Sequence, residues 1–105
     1  MAGQAWSINI VEGSPAFVPD VYPGNLTTLK AQQQDIVSWS NQTSDFHQPW
    51  QTDETFENPQ AQLTGVIDPH DSSDGYAIPA GSPPFFIYYR CNLHPEEHGT
   101  IEVVA

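Results

Sequence analysis

An all-β sandwich of about six to eight short strands is the fold class this chain predicts, on three observations. Ten prolines and seven glycines cut its 105 residues into short segments, which favours strands over helices. In the patterned stretches apolar residues alternate with small or polar ones, the period of a strand with one buried face. Helix signals are confined to residues 52–63, where Thr52 or Asp53 is a candidate cap for a short turn that Pro59 would end. The length suits a single domain over residues 1–105, with material for one hydrophobic core and hardly two.

The elements follow in order. "AWSINIVE" (5–12) alternates Trp6, Ile8 and Ile10 against weaker neighbours, and "LTTLKA" (26–31) follows the turn formers Pro23, Gly24 and Asn25. "DIVSWSN" (35–41) alternates again, with Ile36 out of phase with Val37 and Trp39. "AQLTGVI" (61–67) and "GYAIP" (75–79) carry the pattern more faintly. "PFFIYYRC" (84–91) is an aromatic-rich strand whose side chains alternate between the two faces, and "GTIEVVA" (99–105) is the last. There is no internal repeat. Two antiparallel sheets packed face to face leave their loops at the two ends, where sites are usually built.

Thirteen acidic residues against two basic ones give a formal charge of -11. Such a surface repels nucleic acid and anionic membranes, and favours a cation or a protein with a basic docking surface. No run of apolar residues is long enough for a membrane span. "MAGQAWSINIV" lacks the basic segment and cleavage pattern of a signal peptide, which fits a cytosolic chain or a mature form whose leader was removed; the expectation is the latter, periplasmic or extracellular. Two Asn-x-Thr sequons, at Asn25 and Asn41, fit a secreted eukaryotic protein. One cysteine makes no internal disulfide. No glycine-rich phosphate loop and no recognisable Ser/His/Asp arrangement occurs, which leaves no motif for hydrolysis or phosphoryl transfer. The expectation is a binding protein, not an enzyme.

The chemistry gathers in "YYRCNLHPEEHG" (88–99), which holds the only cysteine and two of the four histidines. Cys91 ends an aromatic strand and His94 follows in a loop that Pro95 keeps out of helical conformation. His47 lies beyond the end of a different strand. Taken alone, Cys91 reads as an inert core thiol; taken with His94 and His47 it reads as a metal ligand. A thiolate and two imidazoles select copper in a trigonal site with a weaker fourth donor. Zinc accepts the same donors, but the placement in a loop at the end of a sheet favours copper. Asn41 and Gln48 are candidates for hydrogen bonds that tie the His47 loop to the Cys91 loop. His70, among Asp68, Asp71 and Asp74, reads as a surface loop, because the glycine and terminal glutamate of a calcium loop are missing. Trp39 reads as core, and Trp50 as part of the loop that carries His47.

"CNLHPEEHGTIEVV" is similar to the copper-binding loop of the cupredoxins, and "FVPDVYPGNLTTLKAQQQDIVSWSNQTSDFH" resembles their upstream half. The matching landmarks are Phe17-Val18-Pro19, Gln34-Asp35, Val37-Ser38-Trp39-Ser40-Asn41 and His47, so the resemblance spans roughly residues 17–105 apart from a poorly matched middle. It implies a Greek-key β-sandwich, one copper ion, equatorial ligands His47, Cys91 and His94, and the work of a one-electron carrier. The family usually places a methionine two residues before the glycine that opens the last strand; here that position is Glu97, followed by His98, and the only methionine is Met1. Register from Gly99 nominates Glu97 as the fourth ligand, and the affinity of copper for imidazole nominates His98. Either is a harder donor than a thioether, which favours Cu(II) and a lower reduction potential. A red-copper type of site with an open position for a small ligand, with Glu54 or Glu57 as further candidate carboxylates, is therefore the alternative reading. Copper delivery or storage is a third, without a Met-rich tract to support it.

Overall fold

The computed structural model describes residues 3–13, 15–20 and 28–105. The turn formers 23–25, the start of the strand expected at 26, the sequon at Asn25 and Met1 lie outside them. Nine strands form among the described residues: β1 Ala5–Ile10, β2 Phe17–Pro19, β3 Thr28–Gln32, β4 Ile36–Asn41, β5 Pro49–Thr52, β6 Pro59–Gln62, β7 Tyr76–Ala77, β8 Phe85–Cys91 and β9 His98–Val104. They make two sheets, of order β2-β1-β4-β7 and β3-β9-β8-β5-β6. This is the all-β sandwich expected, with one strand more than the upper end of the range.

Three expectations need correction. The sandwich is not purely antiparallel, because β1 pairs with β4 and β3 pairs with β9 in parallel. Between β1 and β4, and between β3 and β9, the chain crosses to the other sheet and back, an excursion long enough for a parallel return. Residues 52–63 hold no helix. Asp53 does cap a turn, accepting from the Thr55 amide at 3.1 Å and the Thr55 hydroxyl at 2.6 Å, but Phe56 takes a left-handed φ of 63°, which ends any right-handed helix at once. Pro59 then opens β6, where the missing amide costs little because it starts an edge strand. The strand expected over 61–67 stops at Gln62, and Ile67 pairs only with His47, in an isolated bridge.

The core is the alternation made solid. Ile8 and Ile10 of β1 and Val37 and Trp39 of β4 face Leu29, Ile87, Tyr89, Ile101 and Val103 of the other sheet, all essentially inaccessible to water, while Ile36 points outward as its phase required. Tyr89 joins the layers: its ring meets Phe17 edge-on at 5.0 Å and Trp39 edge-on at 5.5 Å. A Cβ on Gly99 of β9 would lie 2.5 Å from the Tyr89 hydroxyl, so only glycine lets β9 run this close to β8. The strand ends that carry Cys91 and Glu97 are thereby held together.

Asp35 ties down the β3–β4 turn. Its buried carboxylate accepts from the amides of Gln4 at 2.8 Å and Gln32 at 2.9 Å and from the Trp6 indole at 2.8 Å. Burial alone would raise its pKa, but these donors outweigh burial and hold it below the ordinary 3.8. The unfolded chain therefore takes up this proton first. The stabilisation is complete above pH 3.8 and is lost as pH falls through the lower folded value. Thermal melts through the acid range are expected to show that loss, and Asp35→Asn to flatten it while costing about 2 kcal/mol at neutral pH.

Candidate metal centre

Three short segments converge at one end of the sandwich. Cys91 is the last residue of β8, fully buried. After it the backbone makes two successive turns: the His94 amide donates to the Cys91 carbonyl at 3.2 Å, and the Glu97 amide to the His94 carbonyl at 2.9 Å. Pro95 sits second in that latter turn, the position its fixed φ favours. The Cys91 amide, donating to the Glu97 carbonyl at 2.8 Å, closes the loop where β9 begins. His47 arrives from the β4–β5 connection, pinned by reciprocal backbone bonds with Ile67 at 3.2 and 2.7 Å.

The side chains of His47, Cys91, His94 and Glu97 bring one donor atom each to within 4.8 Å of one another. The Cys91 Sγ lies 3.5 Å from His47 Nδ1 and 3.4 Å from His94 Nδ1. Glu97 Oε1 lies 3.2 Å from His47 Nδ1 and 3.8 Å from His94 Nδ1. Both imidazoles thus present Nδ1 to the same point. His98 is not in this group: as the first residue of β9 it is exposed and stacks on Phe56, ring centroids 4.1 Å apart and planes within 15°. Glu54 and Glu57, exposed in the turn after β5, are not in it either.

The electrostatics of the cluster call for a cation. Burial pushes the His47 pKa below its ordinary 6.5 against the pull of the Glu97 carboxylate, so the imidazole is neutral and carries one ring proton. Burial raises the Cys91 pKa, with backbone amides of Gln48, Leu93 and His94 drawing it back. Glu97 Oε1 is buried and has no hydrogen-bond partner among the described residues. Its 3.2 Å approach to His47 Nδ1 is a hydrogen bond only if that nitrogen holds the proton. A sulfur, two imidazole nitrogens and an orphaned carboxylate oxygen aimed at one another fit a metal ion.

The neighbours expected to tie the loops together divide that work. Gln48 does join them: its carbonyl accepts from the Asn92 amide at 2.8 Å, its Oε1 from the Asn92 side chain at 3.2 Å, and its amide reaches the Cys91 sulfur at 3.4 Å. Asn41 does not reach the Cys91 loop. Its Nδ2 donates to the carbonyls of Asp45 at 2.7 Å, Asp68 at 3.1 Å and Ile67 at 3.3 Å, binding the His47 loop to the 67–68 segment at the end of its own strand. With 1% of its surface exposed, Asn41 is also no glycan acceptor in the folded chain. Trp50, expected in the loop, stands on β5 opposite Arg90. Two contributors escaped the sequence reading. Thr43, buried, places its hydroxyl 2.9 Å from His47 Nε2, and Asp45 brings a carboxylate oxygen to 3.9 Å from the outer nitrogen of His94.

No family model matches this chain, and no curated protein matches it in sequence. Solved structures match it in three dimensions. A purple cupredoxin from Nitrosopumilus maritimus superposes with a TM-score of 0.70 at 19% identity, over 92% of this chain and 97% of its own. The oxidised form of a proline-to-alanine variant of amicyanin gives 0.63 at 17%, over 94% and 81%. The Cu(I) form of a methionine-to-alanine variant of amicyanin gives 0.64 at 19%, over 98% and 85%. The chain therefore has the cupredoxin fold, with a His/Cys/His/Glu cluster at one end of it.

Proposed function

We propose that this chain holds one copper ion through His47, Cys91 and His94, with Glu97 as the fourth donor, and serves as a one-electron carrier. The observation that carries this reading is the convergence of four donor atoms within 4.8 Å, one of them a buried carboxylate oxygen without a hydrogen-bond partner among the described residues. The amicyanin structures are described as Cu(I) and oxidised forms, which supports copper over zinc. Bound there, copper would supply a single electron cycling between two oxidation states.

The chain's own residues do the rest. The backbone bonds of the 91–97 loop and the His47–Ile67 bridge hold the donors in place, so a change of charge meets little rearrangement. Cys91 gives up its proton on binding, and the surrounding amides steady the thiolate. His94, partly exposed, is the door to solvent. Half-exposed Phe46 and Leu93 precede the two histidines, and half-exposed Val66 precedes Ile67, which makes an apolar rim at this end. Thirteen acidic residues against two basic ones select a redox partner with a basic docking surface. The domain spans residues 1–105, and its setting is periplasmic or extracellular. Stopped-flow electron transfer tests this. The rate with a cationic redox protein is expected to fall about tenfold as salt rises from low to physiological strength and beyond; a rate indifferent to ionic strength contradicts the docking half of the proposal.

A second reading has one observation in its favour. Glu97 and His98 stand in the wall of a cleft of about 600 Å³ among the described residues, beside Phe56 and Thr100. A small ligand in it would lie beside residue 97, the one member of the cluster that lines the cleft. Azide added to the Cu(II) form separates the two: an unchanged absorption and EPR spectrum supports the closed carrier, and a new ligand band supports the open site.

A further inference from the structure

We infer that Thr43 is a positioning residue that fixes His47 as its Nε2–H tautomer and so aims the Nδ1 lone pair into the cluster. This rests on the reading of that cluster as a metal centre only for its consequence, since the proton placement follows from hydrogen-bond accounting alone.

The accounting starts at Asn41. Its Nδ2 faces three carbonyl oxygens, those of Asp45, Ile67 and Asp68, which accept and cannot donate. The amide is therefore oriented, and its oxygen is the atom that faces Thr43. That oxygen accepts from the Thr43 amide at 3.0 Å and lies 2.8 Å from the Thr43 hydroxyl. Two oxygens that close need a proton between them, and only the hydroxyl has one. The only other oxygen in reach of that proton is the Asp45 carbonyl at 3.3 Å, also an acceptor and farther off, so the proton stays on the Asn41 side and Thr43 Oγ1 meets N–H groups as an acceptor. It takes the Asp45 amide at 3.2 Å, and at 2.9 Å it faces His47 Nε2. That contact is a hydrogen bond only if Nε2 carries the ring proton.

The alternative tautomer has a visible attraction. An Nδ1–H would point at Glu97 Oε1, 3.2 Å away, closing a neutral-to-carboxylate bond and removing the lone pair a metal needs. Two hydrogen-bonding partners thus compete for one proton from opposite sides of the ring, and Thr43 decides the outcome. All three members of the relay are buried: Asn41 is 1%, Thr43 3% and His47 2% exposed. Water does not substitute easily for any of them.

The test uses the full chain, metal-free and labelled with 15N at histidine, at a pH well above the imidazole range. Long-range proton–nitrogen correlation spectra are expected to show the His47 proton on Nε2 in the parent and in Thr43→Ser. In Thr43→Val, which keeps the shape and removes the hydroxyl, the proton is expected to move to Nδ1. Copper affinity should fall roughly 10- to 100-fold in Thr43→Val and be restored in Thr43→Ser. A parent protein whose His47 proton sits on Nδ1 overturns the inference, as does a folded Thr43→Val with the parent's tautomer and the parent's affinity. Should the valine variant not fold, the parent and serine spectra decide alone. A parent with Nε2–H that takes up no copper overturns the metal reading and leaves the tautomer assignment standing.

Discussion

Cys91→Ser is expected to abolish the intense thiolate-to-Cu(II) absorption and to weaken copper binding by at least about 100-fold, while the fold survives. The sulfur is the only soft donor in the cluster and the only one whose charge copper can share covalently. An alkoxide cannot take its place near neutral pH. Structurally the exchange is mild. Cys91 is fully buried at the end of β8, and the Gln48 amide that now points at the sulfur from 3.4 Å has an oxygen to donate to in the variant. A cost of about 1 kcal/mol in the metal-free protein is therefore expected. Optical titration with Cu(II), beside thermal melts of both metal-free proteins, checks the two halves together. A serine variant that keeps the absorption would place the sulfur outside the coordination shell.

Glu97→Ala is the second large effect, and it carries opposite signs with and without the ion. In the metal-free protein Oε1 is buried with no partner among the described residues, a cost the alanine variant is spared. Both backbone bonds of residue 97, to the amide of Cys91 and the carbonyl of His94, survive the substitution. Metal-free Glu97→Ala is thus expected to be more stable than the parent by about 1 kcal/mol. With copper the order reverses, because the stabilisation by a ligand scales with the logarithm of its affinity. The reduction potential should rise as a hard anionic donor to Cu(II) is removed. His98→Ala serves as the control: its ring stacks on Phe56 outside the cluster, so the Cu(II) spectrum should be that of the parent. An altered spectrum in the histidine variant and a parent-like one in the glutamate variant would make His98 the fourth ligand instead.

The sandwich and the meeting of His47, Cys91 and His94 were legible in the sequence for a shared reason. Alternation of Ile8 with Ile10 and of Val37 with Trp39 reports a half-buried strand directly, and Cys91, His94 and His47 are scarce residue types whose spacing carries information. What was hidden depended on geometry that no local pattern encodes. The Asp53 cap reads the same whether a helix or an isolated turn follows, and only the positive φ of Phe56 separates them. β6 is exposed along its whole length, so it has no alternation to detect. Parallel pairing of β1 with β4 is set by the path of the chain between the layers, not by either strand. Asn41-Gln42-Thr43 reads as a glycosylation sequon, and its structural meaning, a buried relay ending on His47, emerges only when the 67–68 carbonyls are brought against the amide.

Between Glu97 and His98, register decides which side chain the backbone brings to the cluster. Imidazole is the better ligand for copper, but residue 98 already belongs to β9, opposite Arg90, and its side chain leaves on the outer face of the sheet. Residue 97 is the last one before the strand and turns inward. Affinity can act only among the donors that the backbone delivers.

X-ray absorption at the copper edge of the loaded parent chain tests the four-donor centre most directly. One sulfur and three lighter neighbours, two of them imidazole nitrogens, around a single ion per chain are the predicted result. A coordination shell of nitrogen and oxygen alone, or copper bound in several equivalents without sulfur, would contradict it.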